Sequence, residues 1–166
     1  ILSQAFGPIG LARAGRITAV PQHDAAFRRY VVRFTATLAG PAFLLVALCW
    51  WQAPRIMALA FGEDYVQFAD LLLPVSITAA ASAIEFGGSL GLRVIGRGRT
   101  FATFNLVNQC GRAAAIVIGM SQGSLMLAMA LLAVSKTVHA AAVWIRLFAP
   151  PAGPRPKVVG DSAVAG

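Results

Sequence analysis

Carboxylates are scarce in this chain. Asp and Glu together number six among 166 residues, and all charged residues make up only 12%. A water-facing domain normally carries about 25% charged residues, so a soluble globular surface is not the first expectation. The membrane class fits instead, with 58% hydrophobic residues and a mean hydropathy of +0.72. Cysteine and histidine are also rare, two of each. Cys49, Cys110, His23 and His139 have no zinc-type spacing, and both cysteines lie inside apolar runs. Neither a metal site nor a structural disulfide is indicated, and no cofactor is implied. No acid, base and nucleophile cluster together, which argues against an enzyme. The net charge of +8 would suit nucleic acid, but the basic residues fall at the edges of apolar runs rather than on one polar element. Nucleic acid is therefore not an expected partner.

What the chain has is long apolar runs. A hydrocarbon core about 30 Å thick needs about 20 mostly apolar helical residues. Four segments qualify: 34–51, 68–92, 101–120 and 124–148. The expected fold class is an all-α membrane protein, a polytopic helical bundle with four transmembrane helices. Pro41 and Pro74 fall inside the first two spans and are candidate kinks. A short amphipathic helix is expected over 53–60, at the interface. Residues 1–33 read as a cytoplasmic connecting segment, with 1–10 as the end of an earlier span. The chain opens on Ile1-Leu2-Ser3-Gln4 without a signal-peptide pattern, so it reads as a fragment lacking its N-terminal transmembrane helices. From residue 149 on, the Pro- and Gly-rich "PPAGPRPKVVGDSAVAG" predicts a disordered cytoplasmic tail.

The basic residues alternate along this pattern. Arg13, Arg16, Arg28, Arg29 and Arg33 precede the first span, and Arg93, Arg97 and Arg99 join the second to the third. Arg146, Arg155 and Lys157 lie at or beyond the end of the fourth. Arg55 alone lies between the first and second, and the turn Ser121-Gln122-Gly123 has none. The positive-inside rule assigns the basic-rich side to the cytoplasm. It puts "ALAFGEDY" (58–65), with the adjacent pair Glu63 and Asp64, on the outside. Trp50 and Trp51 would form the outer aromatic belt, and Tyr30 and Trp144 the inner one.

Polar stripes run through the apolar spans. Thr78, Ser82, Glu85 and Ser89 share one helix face, as do Asn105, Asn108, Gln109 and Arg112, and as do Ser135, Lys136 and His139. Lipid tails do not solvate such stripes, so they should face the bundle interior or a water-filled cavity. Arg112 and Lys136 both fall near mid-membrane by residue count, and Glu85 lies within reach of Arg112. Two readings stand side by side. In one, Glu85 pairs with Arg112 and fixes helix packing. In the other, Arg112 and Lys136, with Asn105, Asn108, His139 and Glu85, line a cationic cavity for an anionic substrate. His139 is expected as a packed histidine, and Gly87-Gly88-x-x-Gly91 as a close-approach surface.

The stretch "MALAFGEDYVQFADLLLP" (57–74) resembles the polysaccharide flippases of the multidrug/oligosaccharidyl-lipid/polysaccharide exporter superfamily. There an apolar helix end is followed by Phe-Gly-x-x-Tyr, matched by Phe61, Gly62 and Tyr65. A cytoplasmic Gly-Arg turn follows the next span, here Gly96-Arg97; His23-Asp24 stands where the family often has Gly-Asp. The resemblance implies a larger transporter of twelve or fourteen helices in two bundles, in the cytoplasmic (inner) membrane. It also implies that lipid-linked oligosaccharide is moved by alternating access for cell-surface polysaccharide synthesis. The partners would be a lipid-linked glycan, membrane lipids and the missing helices. A cation-coupled drug exporter of the same superfamily is the nearest alternative, with Glu85 the only deep acid. A non-transporting membrane assembly subunit is another.

Overall fold

A computed structural model describes residues 24–149. The expected disordered tail and most of the connecting segment lie outside the described residues. The described chain is all-helical, with four α-helices: α1 (Asp24–Phe61), α2 (Leu72–Val94), α3 (Gly98–Ser121) and α4 (Leu125–Phe148). A 3-10 segment, Glu63–Leu71, joins α1 to α2. At about 1.5 Å per residue, α2, α3 and α4 are each about 34–36 Å long, enough for a hydrocarbon core. Three stretches are long and apolar enough to cross a membrane: Ala25–Phe61, Glu63–Val94 and Leu125–Phe148. The third expected span is a helix of matching length but falls short in apolarity. It carries Asn105, Asn108, Gln109 and Arg112 within 24 residues.

Local chemistry sets the helix boundaries, and it revises both proline expectations. Pro41 leaves α1 helical; the break falls at Gln52 (φ −124°, ψ 20°). Pro54 is the cause, because it lacks an N–H and its ring crowds the carbonyl of Trp50. Residues 53–61 are thus set off from the rest of α1, over the segment where a short helix was expected (53–60). Pro74 lies in the first turn of α2 rather than mid-span, where no N–H is needed. The residues ahead of it adopt the 3-10 form. Helices α2 and α3 both stop in glycine-dependent turns. Gly96 (φ 76°) and Gly123 (φ 63°) take left-handed conformations. Arg97 N–H then reaches Leu92 O at 2.9 Å, and Ser124 N–H reaches Gly119 O at 3.0 Å, a Schellman stop in each case. Ser124 Oγ accepts from Leu127 N–H and caps α4.

The packing order differs from the chain order. Thr35 meets Gly87, and Phe27 and Val31 meet Leu92, so α1 and α2 are antiparallel. Gly119 meets Ala128 and Gly111 meets Ser135, so α3 and α4 are antiparallel. Gly88 meets Val143 and Gly91 meets Leu147, so α2 and α4 run parallel. The helices therefore pack in the order α1, α2, α4, α3, and α1 has no backbone approach within 8 Å to α3 or α4. Most of the buried residues are small, and only Leu92, Val31 and Val143 are large and fully buried. Small residues at helix seams are the packing mode of membrane bundles. Large apolar side chains point outward instead, among them Leu59 (89% exposed), Trp50 and Trp51 (both 79%) and Ile145 (72%).

Up-down connectivity also sorts the charges. Arg28, Arg29 and Arg33 on α1, Arg93, Arg97 and Arg99 around the α2–α3 turn, and Arg146 on α4 share one end of the bundle with Asp24. The other end holds Glu63, Asp64 and Asp70, with Arg55 as its sole base among the described residues. There Gly62 (φ 101°) turns the chain out of α1. The acidic pair opens the 3-10 segment, where helix N-terminal N–H groups favour negative charge. Phe61 and Tyr65 pack ring to ring at 6.1 Å across that turn.

Two glycines give contrasting stability tests. A Cβ at Gly119 would fall against the Ala128 backbone, 2.6 Å from its N, whereas nothing lies within 4 Å of one at Gly40. Gly119→Ala should cost about 1–3 kcal/mol by overpacking, and Gly40→Ala should stay within about 0.5 kcal/mol. Reversible unfolding of the chain in mild detergent measures both.

Candidate functional site

The ionisable groups converge between α2 and α4, the two helices at the centre of the packing order. Lys136 and His139 are three residues apart on one face of α4, so both address the same point on a neighbouring helix. That point is Glu85 on α2. Lys136 Nζ forms an ion pair with Glu85 Oε2, and His139 Nε2 lies 3.3 Å from Glu85 Oε1. The three side chains are only 13% (Glu85), 12% (Lys136) and 6% (His139) exposed. On the α3 side, the Phe104 ring meets the His139 ring edge-on at 6.4 Å. The acid satisfies the lysine, so the Glu85–Lys136 pair carries no net charge. A seam shielded from water tolerates such a pair far better than either charge alone.

The expected Glu85–Arg112 pair is not formed. Helices α2 and α3 are joined by a short turn, yet α4 lies between them and presents Lys136 to Glu85 instead. Of the two cations expected to share one cavity, Lys136 is taken up by Glu85. Arg112 and Asn105 are exposed at the border of the α3 face that meets α4, while Lys136 is paired with Glu85 within the bundle. Asn108 is 4% exposed, and its Oδ1 has no hydrogen-bond donor among the described residues. It lies one turn from Gly111 on the small-residue stripe continued by Ala115 and Gly119, the stripe that faces α4. The six predicted residues thus divide in three ways. Glu85, Lys136 and His139 form the cluster, Asn108 is buried in the α3–α4 seam, and Asn105 and Arg112 are exposed at the border of that seam.

The hydroxyl stripe of α2 needs no cavity. Thr78 Oγ1 donates to Pro74 O, Ser82 Oγ to Thr78 O and Ser89 Oγ to Phe86 O, all within the helix itself. Two ties that brace the cluster escape a reading by helical periodicity. Trp144 Nε1 donates to Ile84 O at 2.8 Å, next to Glu85 in sequence. It reaches that carbonyl because Gly88, one turn on, has no side chain; a Cβ there would sit 3.0 Å from Trp144 Nε1. Arg97 Nη1 donates to Arg146 O at 2.9 Å and holds the end of α4. A tryptophan in an apolar span was the available signal for the first, since its buried N–H requires an acceptor.

Removing one partner should cost far more than removing both. Glu85→Ala leaves Lys136 buried without a counter-charge and should destabilise by about 3–5 kcal/mol. Glu85→Leu/Lys136→Met removes both charges and should recover most of that loss. Thermal unfolding in detergent and the level of protein in membranes are the readouts.

No known protein family, no characterised protein and no solved structure matches this chain.

Proposed function

We propose that this chain is the membrane-spanning part of a transporter that flips lipid-linked oligosaccharide for cell-surface polysaccharide synthesis. The observation that carries the proposal is the exposed polar strip of α3 beside the α4 seam. Asn105, Gln109 and Arg112 are exposed there, in the middle of a helix whose length matches a hydrocarbon core. Lipid tails do not solvate such a face, so a polar path or a polar partner must lie against it. Arg112 has no carboxylate partner among the described residues, and its guanidinium offers a planar fork suited to the pyrophosphate of a lipid-linked glycan. The turn at Phe61, Gly62 and Tyr65 that carries the resemblance to the flippases is a built feature, closed by the Phe61–Tyr65 ring contact and by Tyr65 N–H donating to Gly62 O. The cytoplasmic (inner) membrane as the location, and a larger two-bundle assembly, belong to the same proposal.

The pairing of Glu85 also separates the alternatives. A cation-coupled drug exporter needs a deep acid free to take up its ion. Glu85 is paired with Lys136, which weighs against that alternative. An assembly subunit would use the α3 face to hold a partner helix, and water access discriminates it from a transporter. Asn105 and Cys110 lie on different sides of α3, and both are exposed. A cysteine at position 105 should react with a membrane-impermeant thiol reagent, whereas Cys110 should stay unreacted against lipid. Protection of both would favour the assembly subunit.

In the intact protein, Arg112→Ala should lower glycan export at least about tenfold, the loss expected for a charge-assisted contact, at an unchanged membrane level. Arg112→Lys should restore export only in part, because the charge returns without the fork. Lys136→Ala should instead lower the amount of protein in the membrane. Normal export by Arg112→Ala would overturn the proposal.

A further inference from the structure

The arginine-rich end holds two cations in a special arrangement. The Arg93 guanidinium lies over the Phe101 ring at 4.3 Å, and that of Arg28 over the Phe148 ring at 5.7 Å. Stacking on a ring face positions a guanidinium while leaving the N–H groups at its edge free to donate. Arg97 is different, because its Nη1 is spent on the carbonyls of Arg146 and Ala149. Among the described residues, no carboxylate stands within ion-pair distance of any of the seven arginines at this end. Arg28 and Arg93 are therefore pre-oriented donors at an end where positive charge exceeds negative.

The surroundings point to the kind of anion. Tyr30 and Phe34 stack at 6.0 Å, and Trp144 and Phe148 pack at 5.5 Å, close beneath the arginines. Aromatic rings at this level mark the boundary between headgroups and acyl chains. Beside them the surface is apolar and open, with Ile145 72% and Val32 47% exposed. A free phosphate or a nucleic acid has no use for that flank. A lipid uses both parts, its phosphate against the guanidinium and its chain along the apolar side.

We propose that the arginine-rich end binds anionic phospholipid headgroups of the surrounding bilayer, with Arg28 and Arg93 gripping the phosphates. The proposal does not depend on the glycan reading, and its test contains no glycan. In a Trp50→Phe/Trp51→Phe background, Trp144 is the only tryptophan left of three, and it lies at this end. Its fluorescence is measured with the chain in neutral detergent micelles, titrated with acyl-brominated phosphatidylglycerol or acyl-brominated phosphatidylcholine. Phosphatidylglycerol should quench at about tenfold lower mole fraction, as expected if one charge-assisted contact discriminates the two lipids. Arg28→Gln/Arg93→Gln should abolish that preference, whereas Arg29→Gln/Arg99→Gln, with the same charge removed but no ring beneath, should keep most of it. If the first pair does not fold, Arg28→Lys/Arg93→Lys keeps the charge and should still lose most of the preference. Equal quenching by the two lipids would overturn the proposal, as would equal damage from the two glutamine pairs. So would displacement of the brominated phosphatidylglycerol by inorganic phosphate as effectively as by unlabelled phosphatidylglycerol.

Discussion

Glu85 and Lys136 share a seam that neither could occupy alone. A single charge set among apolar helices is strongly destabilising, so the acid of α2 requires a base on the helix beside it. Lys136 supplies that base, and His139 adds a second nitrogen from the next turn. The pairing suits α4 as the neighbour of α2, although α3 is the next helix in sequence. Once α4 is placed there, α3 packs only on the far side of α4 and keeps one face open. The Glu85–Lys136 pair within the bundle and the exposed Arg112 on α3 are two results of one packing order.

The rest of the packing relies on what is missing from the seams. Gly87 admits Thr35, Gly88 admits Val143 and Trp144, Gly91 admits Leu147, and Gly119 admits Ala128. Close backbone approach replaces the large apolar core of a soluble domain, and the large side chains face outward where acyl chains would cover them. The same up-down arrangement gathers seven arginines at one end and three of the acids at the other. A bipolar bundle of this kind has a preferred orientation in a bilayer with charged headgroups.

Much of the fold was legible in the sequence, because apolar runs of spanning length have few other uses. Three helices fall close to the expected segments, while α1 runs ten residues beyond the expected 34–51 at each end and takes in the last part of the expected connecting segment; the alternation of basic residues anticipated the two charged ends. Two things were not legible. The break at Gln52 depends on how Pro54 denies a hydrogen bond, and an apolar run is silent on that and on the 3-10 form of Glu63–Leu71. The partner of Glu85 was misjudged because a short turn suggests that the helices it joins will pack together. Helices α2 and α3 are joined in that way and still do not pack along their lengths. Periodicity shows which residues share a face but does not say which neighbour the face meets. For that reason Lys136, His139 and Glu85 were found as candidates, while their pairing was not. Arg112 and Asn105 were identified as part of a polar face, and they border the buried Asn108 on it.

Cross-linking between helices decides the packing order directly. In a Cys-free background, cysteines at Gly88 and Val143 should form a disulfide readily in native membranes, because those positions meet across the α2–α4 seam. Cysteines at Glu85 and Arg112 should remain reduced under the same oxidant. A ready cross-link between 85 and 112, with none between 88 and 143, would place α3 against α2. That result would contradict both the pairing of Glu85 with Lys136 and the free face of Arg112.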